Sequence, residues 1–363
     1  MNLQKHIAAV LVAYFIFFQN KEGAWGPAGF GEYKSNTAES HIIDPAQLAS
    51  FNNEPLTSFY QMNGFRTVWN EAEHRQLAIS LLAKADEEGL DSAAYNFRSL
   101  QEKEAQMPDL AEKEIVKYDI LMTLSVQKYV NDMNKGQLDP EELYEDWDLS
   151  KDGLDLNHYL SSAIKGDSLS KFFERARPVH PLYSSLKKAL VLISSFPDDT
   201  LKPIEISAKL RPNDTCSAVI DLKKRLTYWK DLKSKDTLTK IYDEETMAAV
   251  KKFQRRHGLA ADGIIGNSTL SALNVSKEKR RKQIIANLER WKWFPKNWAD
   301  RHLVVNIPEY KLYAVSHKDT LRTHNVVVGT AKRKTPILSS RLSHAVFNPT
   351  WTVPPTILKE DVI

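Results

Sequence analysis

The chain is 363 residues long, 42% hydrophobic and 26% charged, a balance that fits two or three folded domains and excludes a chiefly disordered or low-complexity protein. Its formal charge of +4 hides an asymmetry: residues 1–200 carry 19 basic and 30 acidic side chains, whereas residues 201–363 carry 31 and 16. A single cysteine, Cys216, excludes an internal disulfide, so the domains rest on ordinary cores.

The first element is IAAVLVAYFIFF, an apolar run of about 12 residues behind Lys5 and His6, where a spanning helix needs about 20. Residues 1–20 therefore read as a signal peptide or an N-terminal membrane anchor. Gly23, Ala24 and Gly26 offer small residues for cleavage, but Pro27 disfavours it, so the sequence allows both readings. A buried helix is the plain alternative, although nothing amphipathic continues the run. Residues 21–46 are rich in Gly, Ser and Asn and read as a linker.

Residues 47–200 show helical periodicity and no chemical motif of their own. Leu77, Leu81, Leu82 and Ala85 share a face that Gly89 closes; Ile115, Tyr118, Met122, Val126 and Tyr129 form a second stripe that ends at Gly136. This predicts an all-α scaffold half. Residues 205–275 form a three-helix module. Asn213 or Asp214 caps a helix with Val219, Leu222 and Leu226 on one face. Thr246, Ala249, Val250 and Phe253 line a second helix stopped by Gly258. An Asp262-Gly263 turn and Gly266 then lead into a short third helix capped by Asn267. KEKRRK, 277–282, closes the module, and from about 300 the stretches HLVVNI, YKLYAV, HNVVVG and HAVFNPTWTV predict four strands. The expected class is thus multidomain α+β.

The stretch YDEETMAAVKKFQRRHGLAADGIIGNSTLSALN resembles the peptidoglycan-binding domain of cell-wall hydrolases and transpeptidases, whose pattern T-x-x-A-V-x-x-F-Q-x-x-x-G-L-x-x-D-G-I-x-G-x-x-T-L-x-x-L-N it follows almost without a gap. NLERWKWFPKNWADRHLVVNIPEYKLYAV, VVVGTAKRKTPILSS and FNPTWTVPPTILKEDVI resemble the start of the YkuD-type catalytic domain of large periplasmic L,D-transpeptidases. FYQMNGFRTVW, LLAKADEEGLDSAAY and PVHPLYSSLKKAL are similar to the scaffold domain that precedes these parts. The resemblance makes residues 285–363 the N-terminal, mostly-β part of that catalytic domain. It implies an exported protein that binds peptidoglycan stems and glycan, sits in the periplasm or on the inner membrane, and uses no metal or organic cofactor. The implied reaction is acyl transfer: a cysteine thiolate attacks the peptide bond before the terminal D-Ala of a tetrapeptide stem and expels that D-Ala, and a neighbouring stem's side-chain amine then displaces the thiolate from the acyl-enzyme to give a 3→3 cross-link.

The sequence departs from the family where its chemistry lies. Ser-x-Gly-Cys-[Ile/Val]-Arg is absent, the sole His-Gly is His257-Gly258 at a helix end, and Cys216 follows Asp-Thr. No catalytic residue carries over, and the family's Cys/His motif is expected beyond Ile363. The expectation is a chain that breaks off inside the catalytic domain, inactive by itself, or else a non-catalytic wall-binding scaffold. Its segment 300–363 would be poorly stable alone, because the last strand has an unpaired apolar edge.

The candidate module residues are Phe253, Gln254, Gly258, Asp262, Gly263 and Gly266, with Asp262-Gly263 shaping a turn rather than touching glycan. Trp351 is the substrate-cleft candidate, or a core indole, ahead of the rigid Pro354-Pro355. Cys216 near a helix start reads as a packing residue rather than a nucleophile. His302, His324 and His344, on separate strands, offer a convergent zinc site against the plainer reading of solvent-facing histidines, and no HExxH is present. KEKRRK reads as wall association or a solvated helix face; an exported protein meets little nucleic acid, so none is expected as a partner. Trp291, Trp293 and Phe294 beside it are expected to pack a domain junction.

Overall fold

The computed structural model describes residues 40–145, 147–149, 153, 155–233, 238–317, 319–330, 332–350 and 352. The expected leader and most of the linker lie outside these, as do Trp351, Pro354, Pro355 and Ile363. Thirteen α-helices and five strands follow in order among the described residues. They are α1 (Pro45–Ala49), α2 (Glu54–Met62), α3 (Ala72–Ala83), α4 (Phe97–Ala105), α5 (Glu112–Lys135), α6 (Pro140–Leu143), β1 (Trp147–Asp148), α7 (Leu156–Lys165), α8 (Leu169–Ala176), α9 (Pro181–Ser194), α10 (Ala218–Tyr228), α11 (Glu244–Arg256), α12 (Asn267–Leu273), α13 (Lys277–Trp293), β2 (Arg301–Asn306), β3 (Lys311–Ser316), β4 (Asp319–Asn325) and β5 (Ile337–Leu338). The fold is mixed α+β, with one small antiparallel sheet towards the C-terminus.

The 24-residue helix α5 is the axis of the scaffold, with α3, α4, α7 and α8 packed around it. Of the predicted stripe, Tyr118, Met122, Val126 and Tyr129 are buried and Ile115 is half-buried. Neighbours on several flanks also enclose Asp119 and Thr123, and enclosed polar groups need partners. The Asp119 carboxylate accepts from the Tyr60 hydroxyl at 2.6 Å and from the Val68 and Trp69 N–H groups at 2.9 and 2.8 Å. It thereby pins α2 and the following loop to α5. Glu88, 2% exposed, does the same for α9, accepting from the Tyr183 hydroxyl and Lys187 and pairing with Arg177.

Several local expectations are corrected. α3 stops at Ala83 rather than running to Gly89; a 3₁₀ turn, Ala85–Glu88, intervenes and aims Glu88 inwards, with Gly89 closing it. The scaffold half is not purely helical, because β1 pairs in parallel with β5, Trp147 opposite Ile337. α10 is not capped by Asn213 or Asp214: Ser217 precedes it, while the Asp214 carboxylate accepts the Arg211 N–H at 2.7 Å in a tight turn. Asn267 is the first residue of α12 rather than its cap, which is the extended Gly266.

KEKRRK opens the 17-residue helix α13 instead of closing the module, and 285–293, expected to begin the β domain, is that helix's second half. Ser276 caps it, its hydroxyl accepting from the Lys279 N–H, and α13 packs along α9 and α5. The approach to α5 requires glycine at 136: at φ +86 a Cβ there would stand 2.6 Å from both Glu289 Oε1 and Trp293 Nε1. Trp291 and Trp293 are buried, as expected of a domain junction; Trp291 stacks on His180 at 4.2 Å, and Trp293 meets Trp147 edge-on at 5.8 Å.

Strands β2, β3 and β4 form an antiparallel sheet in that order, with an irregularity between Ala314 and Val315. HLVVNI and YKLYAV form strands as predicted. The third strand is DTLRTHN, ahead of the predicted HNVVVG, and residues 344–350 contain no strand. Sequence favours apolar VVVG, but the hairpin after β3 turns at His317, and the short connection puts the polar segment on the ladder first.

Candidate functional site

The three-helix module is organised from within its second helix. Asp243 caps α11, accepting from the Thr246 N–H at 2.9 Å and its hydroxyl at 2.7 Å, and pairs with Lys223 at 2.7 Å. Partial burial opposes ionisation of Asp243, but Lys223 and Thr246 outweigh it and hold the carboxyl at about 2. Thr246, Ala249, Val250 and Phe253 face the core as their spacing predicts.

Gln254, 1% exposed, organises the loop that follows. Its Nε2 lies 2.8 Å from Asp262 Oδ1, 3.0 Å from the Ile264 carbonyl and 3.2 Å from Thr269 Oγ1, while its Oε1 accepts the Gly263 N–H at 2.9 Å. One amide thus ties α11, the turn and α12 together. The Tyr242 hydroxyl donates to the Gly263 carbonyl at 2.7 Å, and Asp262 Oδ1 accepts the Ile264 N–H at 2.9 Å. The Ile264 and Gln254 hydrogen bonds lower the Asp262 pKa. Gly263 is required at φ +78, where a Cβ would come within 2.9 Å of Met247 Cγ and 3.1 Å of Lys251 Cε.

The six module residues singled out from sequence therefore divide. Phe253, Gln254 and Gly263 are buried and face inwards; Gly258 and Asp262 are exposed and Gly266 is half-buried, so only these reach the surface of the 258–266 loop. Sequence reasoning missed the two cations that flank it. Lys251 drapes over Gly263, and Lys209 reaches the far side, with its Cε 3.9 Å from a Cβ built on Gly266. The bridge between Leu210 and Ile265 brings Lys209 there, a long-range pairing that no local pattern reports.

His257 ends α11, stacked on Phe253 at 3.9 Å with Nδ1 2.7 Å from the Phe253 carbonyl. Burial, with Arg280 and Arg256 nearby, pushes its pKa down to about 3. His257-Gly258 is a helix terminus packed on the core. Cys216 is half-buried against the same core, its N–H donating to the Lys240 carbonyl at 3.1 Å, and belongs to this module rather than to the β2–β4 sheet. His257 and Cys216 thus both belong to the three-helix module. The sheet does not bring the candidate histidines together. His302 pairs with Val315 and His324 with Leu312, positions of opposite parity on β3, so the two rings lie on opposite faces. His344 lies outside the strands beside Ser343.

Three family models match the chain in order. They are a scaffold domain over residues 54–190, a "Putative peptidoglycan binding domain" over 216–273 and an L,D-transpeptidase catalytic domain over 300–363. A curated protein of Haemophilus influenzae described as "Putative L,D-transpeptidase" is 35% identical over 112 residues, which is 29% of this chain and 22% of the relative. The chain thus spans about a fifth of the length of the relative it matches. In order along the chain, these matches make it similar to a scaffold domain, a peptidoglycan-binding domain and part of an L,D-transpeptidase catalytic domain.

Proposed function

We propose that this chain serves peptidoglycan cross-linking of the L,D-transpeptidase kind and that its own residues supply wall capture. The observation that carries the reading is the 258–266 loop, fixed from beneath by Gln254 and flanked by Lys209 and Lys251, in a module that matches a peptidoglycan-binding domain. Stem peptides bear carboxylates, which two ammonium groups beside a rigid loop attract, while the exposed backbone at Gly258 and the half-buried backbone at Gly266 let a polymer approach closely. The division of labour is a leader or membrane anchor at 1–20, a scaffold at 47–200, the binding module at 205–275 and the catalytic region from 285, with export to the periplasm and a part in maintaining cell shape. Among the described residues no helix is long and apolar enough to cross a membrane, and the leader lies outside them. In a co-sedimentation assay on purified sacculi, the Lys209→Glu/Lys251→Glu double substitution should weaken binding about tenfold at low salt, with a smaller gap at high salt. Equal pelleting of parent and double variant would remove the loop from the binding surface.

A second reading, wall binding without acyl transfer by residues 1–363, is favoured by Cys216. The chain's single thiol packs within the binding module, whereas the catalytic match begins at residue 300. Incubated with a carbapenem, the polypeptide should keep its intact mass, and Cys216→Ala should pellet with sacculi as the parent does. A carbapenem adduct on Cys216 would overturn this reading in favour of nucleophilic chemistry at that position.

A further inference from the structure

The binding module is not hung on a free tether. Its first helix ends in Tyr228 and Trp229, which meet Phe196 of the scaffold exit at 5.8 Å each, and the Tyr228 hydroxyl donates to the Pro197 carbonyl at 2.9 Å. On the other side Arg280 of α13 lies over the Trp229 ring at 5.6 Å. Two hydrogen bonds join Asn274, at the end of α12, to the backbone of Ile204, at 2.8 and 2.9 Å.

Asp199 sits where these pieces converge. Its side chain is 5% exposed, against 99% for neighbouring Asp198. One oxygen accepts from Arg225 Nη1 of α10 at 2.6 Å and from the Lys277 N–H at the start of α13 at 3.3 Å; the other accepts the Leu201 N–H at 3.2 Å. Arg225, 3% exposed in its side chain, spends its other Nη on the Leu201 and Lys202 carbonyls. A buried carboxylate thus joins the module's first helix, the scaffold exit and α13, and α13 packs along α9. α13 also sets the sheet. Lys296, just beyond its end, donates to the Arg175 and Ala176 carbonyls at 2.6 and 2.8 Å, and Trp298 lies against both Trp291 and His302 of β2.

We propose that Asp199 is a positioning residue: it clamps the wall-binding module to the scaffold in one orientation, so that polymer captured on the 258–266 loop is held at a set distance from the β2–β4 sheet. The polymer rests on the wall-binding reading; the clamp does not. A lost buried partner would leave Arg225 as an uncompensated charge, a cost that disfavours the clamped arrangement relative to ones in which the module has moved and the guanidinium is hydrated.

Paired spin labels on the full chain test this in a Cys216→Ser background. Labels at Gln101→Cys on α4 and Ala248→Cys on α11 report module against scaffold; labels at Gln101→Cys and Thr320→Cys report sheet against scaffold. Both pairs should give a single narrow distance distribution in the parent. Asp199→Ala should broaden the module pair severalfold and leave the sheet pair narrow, Asp199→Asn should broaden the module pair less, and Asp198→Ala should match the parent. A broad module pair in the parent would overturn the proposal. So would an Asp199→Ala module pair as narrow as the parent's, or equal broadening of both pairs, which would mark general loosening. Sacculus co-sedimentation separates the two readings: Asp199→Ala should pellet like the parent, whereas failure of the parent to pellet would sink wall binding and leave the distance result standing.

Discussion

Gln254→Glu should unfold residues 216–273 at neutral pH. The new carboxylate would face Asp262 and the Ile264 carbonyl, both acceptors, where the native amide nitrogen donates. A buried polar group left without its partner costs about 1–3 kcal/mol, more when charged, and here two acceptors lose their donor at once. A total near 4 kcal/mol is comparable to what a module of this size has to lose, at roughly 0.05–0.15 kcal/mol per residue. The effect has a pH signature. Burial raises the folded pKa of the introduced carboxyl above its unfolded value of about 4.3, so the variant is least impaired below that pH and loses stability as pH rises. Gln254→Leu should cost about 2–4 kcal/mol with no such loss above the carboxylate range, because it leaves the Gly263 N–H and the Ile264 carbonyl unpaired without adding charge, and only the Asp262 carboxyl, freed of one hydrogen bond, adds a pH effect at acid pH. Thermal melts across pH, followed by near-ultraviolet circular dichroism from the Trp229 region, distinguish the two. A Gln254→Glu melt equal to the parent's at pH 7 would show that the amide does not organise the loop.

The second large effect belongs to the scaffold. Asp119→Ala removes the acceptor of the Val68 and Trp69 N–H groups and of the Tyr60 hydroxyl, inside a core where water has no access. Stranding the two N–H groups should cost about 3–5 kcal/mol, read as a shift in the denaturant midpoint at unchanged slope. Asp119→Asn should be far milder, since one amide oxygen still accepts both N–H groups. Burial pushes the Asp119 carboxyl up to about 6, although the Tyr60, Trp69 and Val68 hydrogen bonds pull the other way. A folded pKa raised above the unfolded value of about 3.9 means that this group favours the fold most below pH 4 and progressively less as pH rises through 6. The stability difference between parent and Asp119→Asn should therefore shrink by about 2–3 kcal/mol between pH 4 and pH 7. A flat difference would show that Asp119 keeps an ordinary pKa in the fold.

What sequence reveals here follows from range. Helices α5 and α11 are legible because an apolar stripe runs along each at helical spacing, and that periodicity is written locally. Strands β2 and β3 are legible for the same reason, through Val, Leu and Tyr on a short run. β4 is not: every residue of DTLRTHN is exposed at the sheet edge, so neither burial nor alternation marks it, and the apolar VVVG beyond draws the prediction away. α13 is misread because its first two turns are charged, and its burial begins only with Leu288, Trp291 and Trp293. Within the site, the F-Q pattern locates Gln254 but not its role, which depends on four partners up to 15 residues away. Lys209 becomes visible only through the Leu210–Ile265 bridge. Trp351 and Ile363 lie outside the described residues.

Wall capture by the loop is tested most directly by amide NMR on the full chain, titrated with a soluble disaccharide–tetrapeptide released from peptidoglycan. Shifts should concentrate at residues 258–266 and around Lys209 and Lys251, saturating with ligand and weakening with salt. Saturable shifts confined to the β2–β4 sheet, or none at all with a ligand that pellets the protein as intact sacculi, would contradict capture by the loop.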